Sequence, residues 1–410
     1  ITIVGLARSG VACAQLLSKL GAKVSVTEHQ DNQMIRQNAS KLDLDNISIE
    51  LGRHSEEFIR GRDMVIVSPG VPLSALPLVW AEQLRIPLLS EIEVGWLLCP
   101  ATVIAVTGSN GKTTVTTLIS KVLEAAGKKA FLCGNIGEPF CAKVDAMEQG
   151  DFVCLEVSSF QLETTRDFKP KISVILNFSQ NHLDRYRTMQ DYLEAKKRIF
   201  MNQDDSDYVV LNYSDPTLRR LKDQIKAKVV YFSEDGQLNP NQAAVLAVSL
   251  IIGVDREVCL RVFREFKGIE HRLEFVAEID NVSFINDSKA TTVDSTIWAL
   301  SNISRPVILI AGGRDKGSDY QAILDLARKK VRYLILIGEA KGKIYSALKG
   351  ALTIKEADTL QEAVKFAFYK ANPGDCVLFS PMCSSFDMFT DYEQRGKLFK
   401  QAVYELKNRI

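Results

Sequence analysis

Apolar and polar positions along this chain alternate between short β-branched runs and longer stretches at helical spacing. Ile1–Val4 reads as a strand, Gly5-Leu6-Ala7-Arg8-Ser9-Gly10 as a turn, Val11–Leu20 as a helix that stops at Gly21, and Val24–Val26 as a second strand with Glu28 at its tip. Met64–Val67, Val103–Val106, Phe152–Val157, Ile172–Leu176, Val307–Ala311, Val331–Ile337 and Cys376–Phe379 are further apolar runs of strand length. Strands alternating with helices predict an α/β protein on mostly parallel sheets. At 410 residues the chain exceeds one ordinary domain, and the pattern restarts twice. Three units are expected, 1–91, 92–302 and 303–410.

Composition narrows the class. An apolar fraction of 46% with 25% charged residues is that of a globular protein. A formal net charge of +1 provides no global field for nucleic acid or an anionic membrane, so neither is an expected partner. No apolar run approaches the roughly 20 residues of a membrane span, and no signal peptide is visible, which points to the cytoplasm. The eight cysteines (Cys13, Cys99, Cys133, Cys141, Cys154, Cys259, Cys376, Cys383) form no CxxC pair, which favours reduced core thiols over disulfides or zinc. The chain opens at Ile1 already inside a strand, and Tyr231–Asn241 passes from strand-like residues to a helix with little between. Residues are expected to be absent at both places.

The densest chemistry lies in Thr107-Gly108-Ser109-Asn110-Gly111-Lys112-Thr113-Thr114, between the Val103–Val106 strand and a helix over Val115–Ala126. Strand, glycine turn and helix in that order suit a nucleoside triphosphate. Backbone N–H groups curl around the phosphates at Gly108 and Gly111, Lys112 reaches the β- and γ-phosphates, and the Thr113 hydroxyl can ligate Mg²⁺. Val106 stands where the generic pattern has its first glycine. Glu156, at the end of an apolar strand and followed by Ser158-Ser159, is placed either to hold Mg²⁺ as well or to cap a helix. His182, after a buried strand and near Asp184, is a candidate ligand or base. Spacing alone does not distinguish Lys196 from a solvated basic face. Gly5–Gly10 with Glu28 fits either a nucleotide fingerprint whose middle glycine is Ala7 or a structural turn. Polar loops at 268–274 and 286–291 suggest binding without indicating of what, whereas 312–317 and the Ser380–Phe389 segment with Arg395-Gly396 cluster Ser, Lys and Arg at strand ends and suit a carboxylate-bearing substrate.

Taken together, Thr107–Thr114, Gly134–Gly137, Glu156–Leu162, His182–Arg185, His271-Arg272, Asn286–Thr291 and Gly312–Lys316 resemble the motifs of the Mur ligases, the ATP-dependent amide ligases that build the peptidoglycan stem peptide. Ser380–Phe389, Arg395-Gly396 and the small Rossmann-like first unit resemble the branch that adds D-glutamate. The resemblance covers essentially the whole chain. It implies three domains: Rossmann-like N-terminal, central P-loop ATPase, and Rossmann-like C-terminal. It also implies ATP, two Mg²⁺ sites, the small-molecule substrates UDP-MurNAc-L-Ala and D-glutamate, and a monomer. Gly108, Ser109, Asn110, Gly111, Lys112, Thr113, Thr114, Asn286, Lys289 and Asp315 would meet ATP. Thr113 and Glu156 would hold one Mg²⁺. His182 and Lys196, the latter matching a lysine that the family carries as a carbamate, would serve the other. Arg8, Ser9, Glu28, Ser68, Pro69, Gly70, Asn135 and Ser158 would meet the UDP substrate, and Lys316, Ser385, Phe386 and Tyr392 the D-glutamate. Lys112, Glu156, His182 and Lys196 would be the catalytic set. Asn181 stands where the family usually has Asp before the histidine, and an uncharged amide cannot act as a base. A sister Mur ligase adding another amino acid, an NAD-dependent oxidoreductase using Gly5–Gly10, and a non-catalytic ATP-gated binding protein are the competing readings.

Overall fold

A computed structural model describes residues 1–179, 185–234, 236–315 and 317–408. It divides into two compact units, Ile1–Phe266 and Lys267–Ile410. The first unit carries two sheets and the second carries one.

The opening sheet has the order β3-β2-β1-β4-β5, from Thr2–Val4 (β1), Val24–Glu28 (β2), Ile47–Leu51 (β3), Val65–Val67 (β4) and Leu88–Ser90 (β5). All pairings are parallel, and the order reverses beside β1, where ligands of such sheets bind. The first helix starts at Arg8, ahead of the expected Val11. Gly10 makes this possible, because a side chain there would collide with the Gly5 carbonyl.

The next sheet has the order β11-β10-β9-β6-β8-β7, again all parallel. Its strands are Thr102–Thr107 (β6), Ala130–Gly134 (β7), Phe152–Glu156 (β8), Ile172–Ile175 (β9), Tyr208–Asn212 (β10) and Lys228–Phe232 (β11). The helix Lys112–Ala125 buries Val115, Leu118, Ile119, Val122 and Leu123, a 3.6-residue stripe that fixes it on the sheet. The helix after β11, Pro240–Ile251, opens with a capping box between Asn239 and Gln242.

Two buried carboxylates tie these sheets together. Glu93, on the helix Glu91–Leu98 that follows β5, accepts the backbone N–H groups of Arg166, Asp167 and Phe168 at 2.8, 2.8 and 3.1 Å. Glu91 accepts the Cys141 N–H at 2.7 Å, and burial pushes its carboxyl up to about 7. All eight thiols are free, and seven are buried.

The second unit has the sheet order β12-β13-β17-β14-β15-β16, from Glu274–Ile279 (β12), Val282–Asn286 (β13), Val307–Gly312 (β14), Val331–Ile337 (β15), Thr353–Glu356 (β16) and Cys376–Phe379 (β17). Only β12 and β13 pair antiparallel, through a two-residue turn at Asp280-Asn281, both at positive φ. This corrects the expected boundary at 302/303. β13 hydrogen-bonds to β17, so residues 274–286 build the last sheet and not the central one. Arg395, fully buried, stitches this unit's loops. Its Nε donates to Ser288 Oγ, Nη2 to Ser288 O and Nη1 to Cys383 O at 3.1, 2.7 and 3.1 Å, and burial lowers its pKa to about 10.

Glu93→Ala strands the buried amide of Phe168 and the part-buried amides of Arg166 and Asp167, so it is expected to destabilise the first unit by about 3 kcal/mol; an unchanged urea midpoint would contradict this. Asp287, buried at the end of β13, accepts Ser380 Oγ at 2.8 Å and Leu273 N–H at 3.2 Å, and burial pushes its carboxyl up to about 7. Its folded pKa thus exceeds the ordinary 3.8. The stabilisation is complete below that lower value and is lost as pH rises through about 7, with a slope of at most about 1.4 kcal/mol per pH unit. The stability difference between wild type and Asp287→Asn, followed from pH 4 to 8, should show this slope; a flat difference would exclude it.

Candidate active site

The phosphate loop leaves β6 at Thr107 and enters its helix at Gly111, the N-terminal cap, with φ of +82°. A side chain at Gly111 would press on Asn241 Oδ1 at 2.6 Å. The loop is fastened to the segment after β9. Ser109 N–H donates to Asn177 O at 3.1 Å, Asn110 N–H to Asn177 Oδ1 at 2.9 Å, and Ser109 Oγ to Ser179 O at 3.1 Å. Lys112 Nζ donates to the carbonyls of Gly108 and Ser109 at 2.9 and 3.0 Å.

Glu156 ends β8 in register with Val106 of β6. Its Oε1 accepts Asn135 Nδ2 at 2.7 Å, and its backbone carbonyl accepts the Asn135 N–H at 2.9 Å. Its Oε2 is buried without a hydrogen-bond partner among the described residues, and so is Thr113 Oγ1. A buried oxygen left unpaired is costly, and two such atoms from a carboxylate and a hydroxyl are the donor set of a hard cation. The residues present therefore fit Mg²⁺.

Lys196 is brought here by the helix Met189–Lys197, where spacing could not place it. It is 1% exposed, its Nζ donates to Gly108 O at 3.1 Å, and it lies 4.6 Å from the centre of the Tyr192 ring. Burial, with Lys112 nearby, pushes its ammonium well below the usual lysine range. Asn177 and Tyr192 also meet this loop and were not singled out from sequence. The position of Asn177 directly after an apolar strand was the available signal. His182 and Asn181 lie outside the described residues, as does Lys316.

In the opening sheet, Glu28 accepts the N–H groups of Leu6 and Gln30, both at 2.8 Å, so it braces the glycine turn. Ser68 Oγ donates to Gly5 O at 3.0 Å, and the Arg8 guanidinium donates to Gly137 O. Ser9 is half-buried, whereas Gly70 and Asn135 are exposed. Ser158 caps the helix Ser159–Leu162 in a capping box with Gln161. Pro69 and Gly70 line a cleft of about 1000 Å³ with Phe160, Glu163, Arg185 and Tyr186.

In the second unit, Asn286 Nδ2 lies 2.9 Å from both His271 Nδ1 and Glu274 Oε2, and Lys289 Nζ lies 5.3 Å from the centre of the Tyr392 ring. Asp315 accepts Tyr320 Oη at 2.9 Å, and its hydrogen bond with Lys343 draws its carboxyl down to about 2. Ser385 is buried and Phe386 exposed. Nearby in sequence, Arg314, Asp387 and Met388 line a pocket of about 410 Å³ with Lys341, Gly338 and Glu339. It lies at the carboxyl ends of β14 and β15, beside the strand reversal between β14 and β17. Arg314 and Asp387 lie within polar segments singled out from sequence, whereas Lys341 was not expected. Among the described residues, no helix is long and apolar enough to cross a membrane.

Known proteins match the chain along its length. The MurD-like N-terminal domain of Mur ligases matches residues 1–90, the Mur ligase middle domain residues 106–258, and the Mur ligase glutamate ligase domain residues 271–383. The UDP-N-acetylmuramoylalanine--D-glutamate ligase of Geotalea uraniireducens (strain Rf4) is 42% identical, covering 99% of this chain and 97% of that protein. The alignment runs over 441 positions, so that relative carries residues without a counterpart here. The protein of the same name from Thermoanaerobacter pseudethanolicus is 38% identical, covering 99% and 98%. Among solved structures, the UDP-N-acetylmuramate-alanine ligase of Thermotoga maritima gives a TM-score of 0.61 at 18% identity over 99% of both chains. The MurF ligase of the same organism, in complex with ADP, gives 0.61 at 15% over 93% and 95%. Those two structures share the fold. By sequence along its whole length, the chain belongs to the Mur ligase family.

Proposed function

We propose that this protein is an ATP-dependent ligase that joins D-glutamate to UDP-N-acetylmuramoyl-L-alanine in the cytoplasm, as a monomer. The observation that carries the reading is the pair of buried, unpartnered oxygens, Thr113 Oγ1 and Glu156 Oε2, at a phosphate loop that also holds two lysine amines. The names of the full-length relatives support the choice of substrates.

The alanyl carboxylate attacks the γ-phosphorus of ATP, ADP leaves, and an acyl phosphate remains. The amine of D-glutamate then adds to that carbonyl, and the tetrahedral intermediate collapses to the amide with loss of phosphate. Two anions meet in the first step, so Lys112 shifts from its loop carbonyls to the phosphate oxygens. Thr113 and Glu156 would hold one Mg²⁺, and His182 with Lys196 a second; the ions screen the charge that builds on the transferring phosphoryl group. Gly108–Thr114 cradle the triphosphate, with Asn286, Lys289 and Asp315 as further ATP contacts. Arg8, Ser9, Glu28, Ser68–Gly70, Asn135 and Ser158 take the UDP substrate, and Lys316, Ser385, Phe386 and Tyr392 the D-glutamate. With an amide at Asn181, the proton lost by the incoming amine passes to His182 or to the phosphate. Burial and the neighbouring Lys112 lower the Lys196 ammonium well below the usual lysine range, which favours the neutral amine that adds CO₂ and releases H⁺ to become a carbamate. That converts a cation beside another cation into an anionic oxygen ligand.

Phosphate release from Mg-ATP should require both UDP-N-acetylmuramoyl-L-alanine and D-glutamate; L-alanine, L-lysine or meso-diaminopimelate should not replace the latter. Release with one of those instead would reassign the second substrate. Lys112→Ala should cut turnover at least about 100-fold with the fold retained, and near-normal ligation would refute the phosphate-loop assignment. After equilibration with ¹³C-bicarbonate, the protein should give a carbamate carbon signal that Lys196→Ala lacks. No difference between the two spectra would refute the modification.

A further inference from the structure

Among the described residues of the first unit, Arg185 is the most heavily engaged guanidinium, and none of the roles above uses it. Its Nε and Nη2 fork onto Glu163 at 3.1 and 2.5 Å, with side-chain exposures of only 20% and 8%. The guanidinium carbon lies 4.4 Å from the centre of the Phe160 ring. On its far side, Nη1 and Nη2 reach the backbone carbonyls of Pro69 and Val71 at 3.3 and 3.4 Å. One planar group thus joins the segment after β9, the helix after β8 and the turn after β4. The inner side of the clamp is a row of packed rings. The Phe160 ring lies 5.9 Å from Tyr186, which lies 5.2 Å from Tyr192, which in turn carries Lys196 at the phosphate loop. The outer side is the Ser68–Val71 turn, whose own anchor is the bond from Ser68 Oγ to Gly5 O.

We infer that Arg185, held by Glu163, is a positioning residue that sets the Ser68–Val71 turn for the UDP substrate. This rests on the reading of Ser68–Gly70 as part of that substrate's site. The bonds to the turn are long, so the fork onto Glu163 and the stacking on Phe160 fix the guanidinium, and the turn is located against it. Lysine carries the same charge but cannot fork and stack while also reaching two carbonyls.

The test compares Arg185→Met, Arg185→Lys and Glu163→Gln in the full chain, below each variant's melting temperature. Arg185→Met should raise KM for the UDP substrate about tenfold, with KM for ATP unchanged, and Arg185→Lys should recover part of the loss. Glu163→Gln, which keeps the side-chain volume, should shift the same constant in the same direction and serves if Arg185→Met does not fold. Equal KM for the UDP substrate in wild type and variants would overturn the inference, as would losses in all constants that merely follow the folded fraction. Direct titration with the UDP substrate separates the two readings. A wild type that binds none of it refutes the substrate assignment, whereas wild type and variants binding equally well refutes only the role of Arg185.

Discussion

Two lysine amines bond to one carbonyl oxygen. Lys112 and Lys196 both donate to Gly108 O, at 2.9 and 3.1 Å, and Lys196 does so almost fully out of water. Two ammonium groups at that spacing repel in a medium that screens poorly, and if either leaves, the Gly108 carbonyl keeps the other as its donor. The strain is relieved when Lys196 is uncharged and when an anion draws Lys112 away. The loop therefore favours negative charge, which suits the phosphate-binding role proposed for it. Thr113 Oγ1 and Glu156 Oε2 add two buried oxygens that have no hydrogen-bond partner among the described residues.

What keeps this arrangement from relaxing is backbone packing. Gly134 sits at φ of +102° and leaves no room for a side chain against the Glu156 carbonyl. Asn135 therefore lies close enough to hold Oε1 through its amide, and Oε2 is left as the open acceptor. Asn177 holds the other side of the loop through both its backbone and its side chain. Glu93 performs similar work at a distance, because its three backbone partners precede β9, the strand that delivers Asn177. Its helix, in turn, follows directly from β5 of the opening sheet.

Strand runs and the phosphate loop were legible because their determinants are local. Apolar runs of three to seven residues and a Gly-Lys-Thr-Thr junction need no partner to be read. The boundary near residue 302 was not legible, because strand pairing is a long-range choice. β13 lies ninety residues from β17, and nothing in its own pattern says which sheet it joins. The Asp280-Asn281 turn was a usable local signal for the hairpin, since both types tolerate positive φ. Lys196 was read only through family resemblance. Its helix shows Lys196-Lys197-Arg198 as a basic run, and burial of the first alone is decided by Tyr192 and the phosphate loop beneath it.

Several expected ligand contacts turn out to have structural duties as well. Glu28 spends both oxygens on backbone amides, Ser158 caps a helix, and Asn286 bridges His271 and Glu274. These duties do not exclude ligand contact. A carboxylate, hydroxyl or amide oxygen has a second lone pair, so such groups can be oriented by the fold and still meet a substrate. They do change what a substitution would measure. Replacing Glu28 would loosen the glycine turn whether or not a ribose touches it, and loss of binding there would not by itself show contact. Thr113 and Glu156 differ, because the atoms in question have no partner among the described residues, and their loss removes little that the fold uses. The most informative positions for function are thus those where the fold leaves a polar atom unsatisfied.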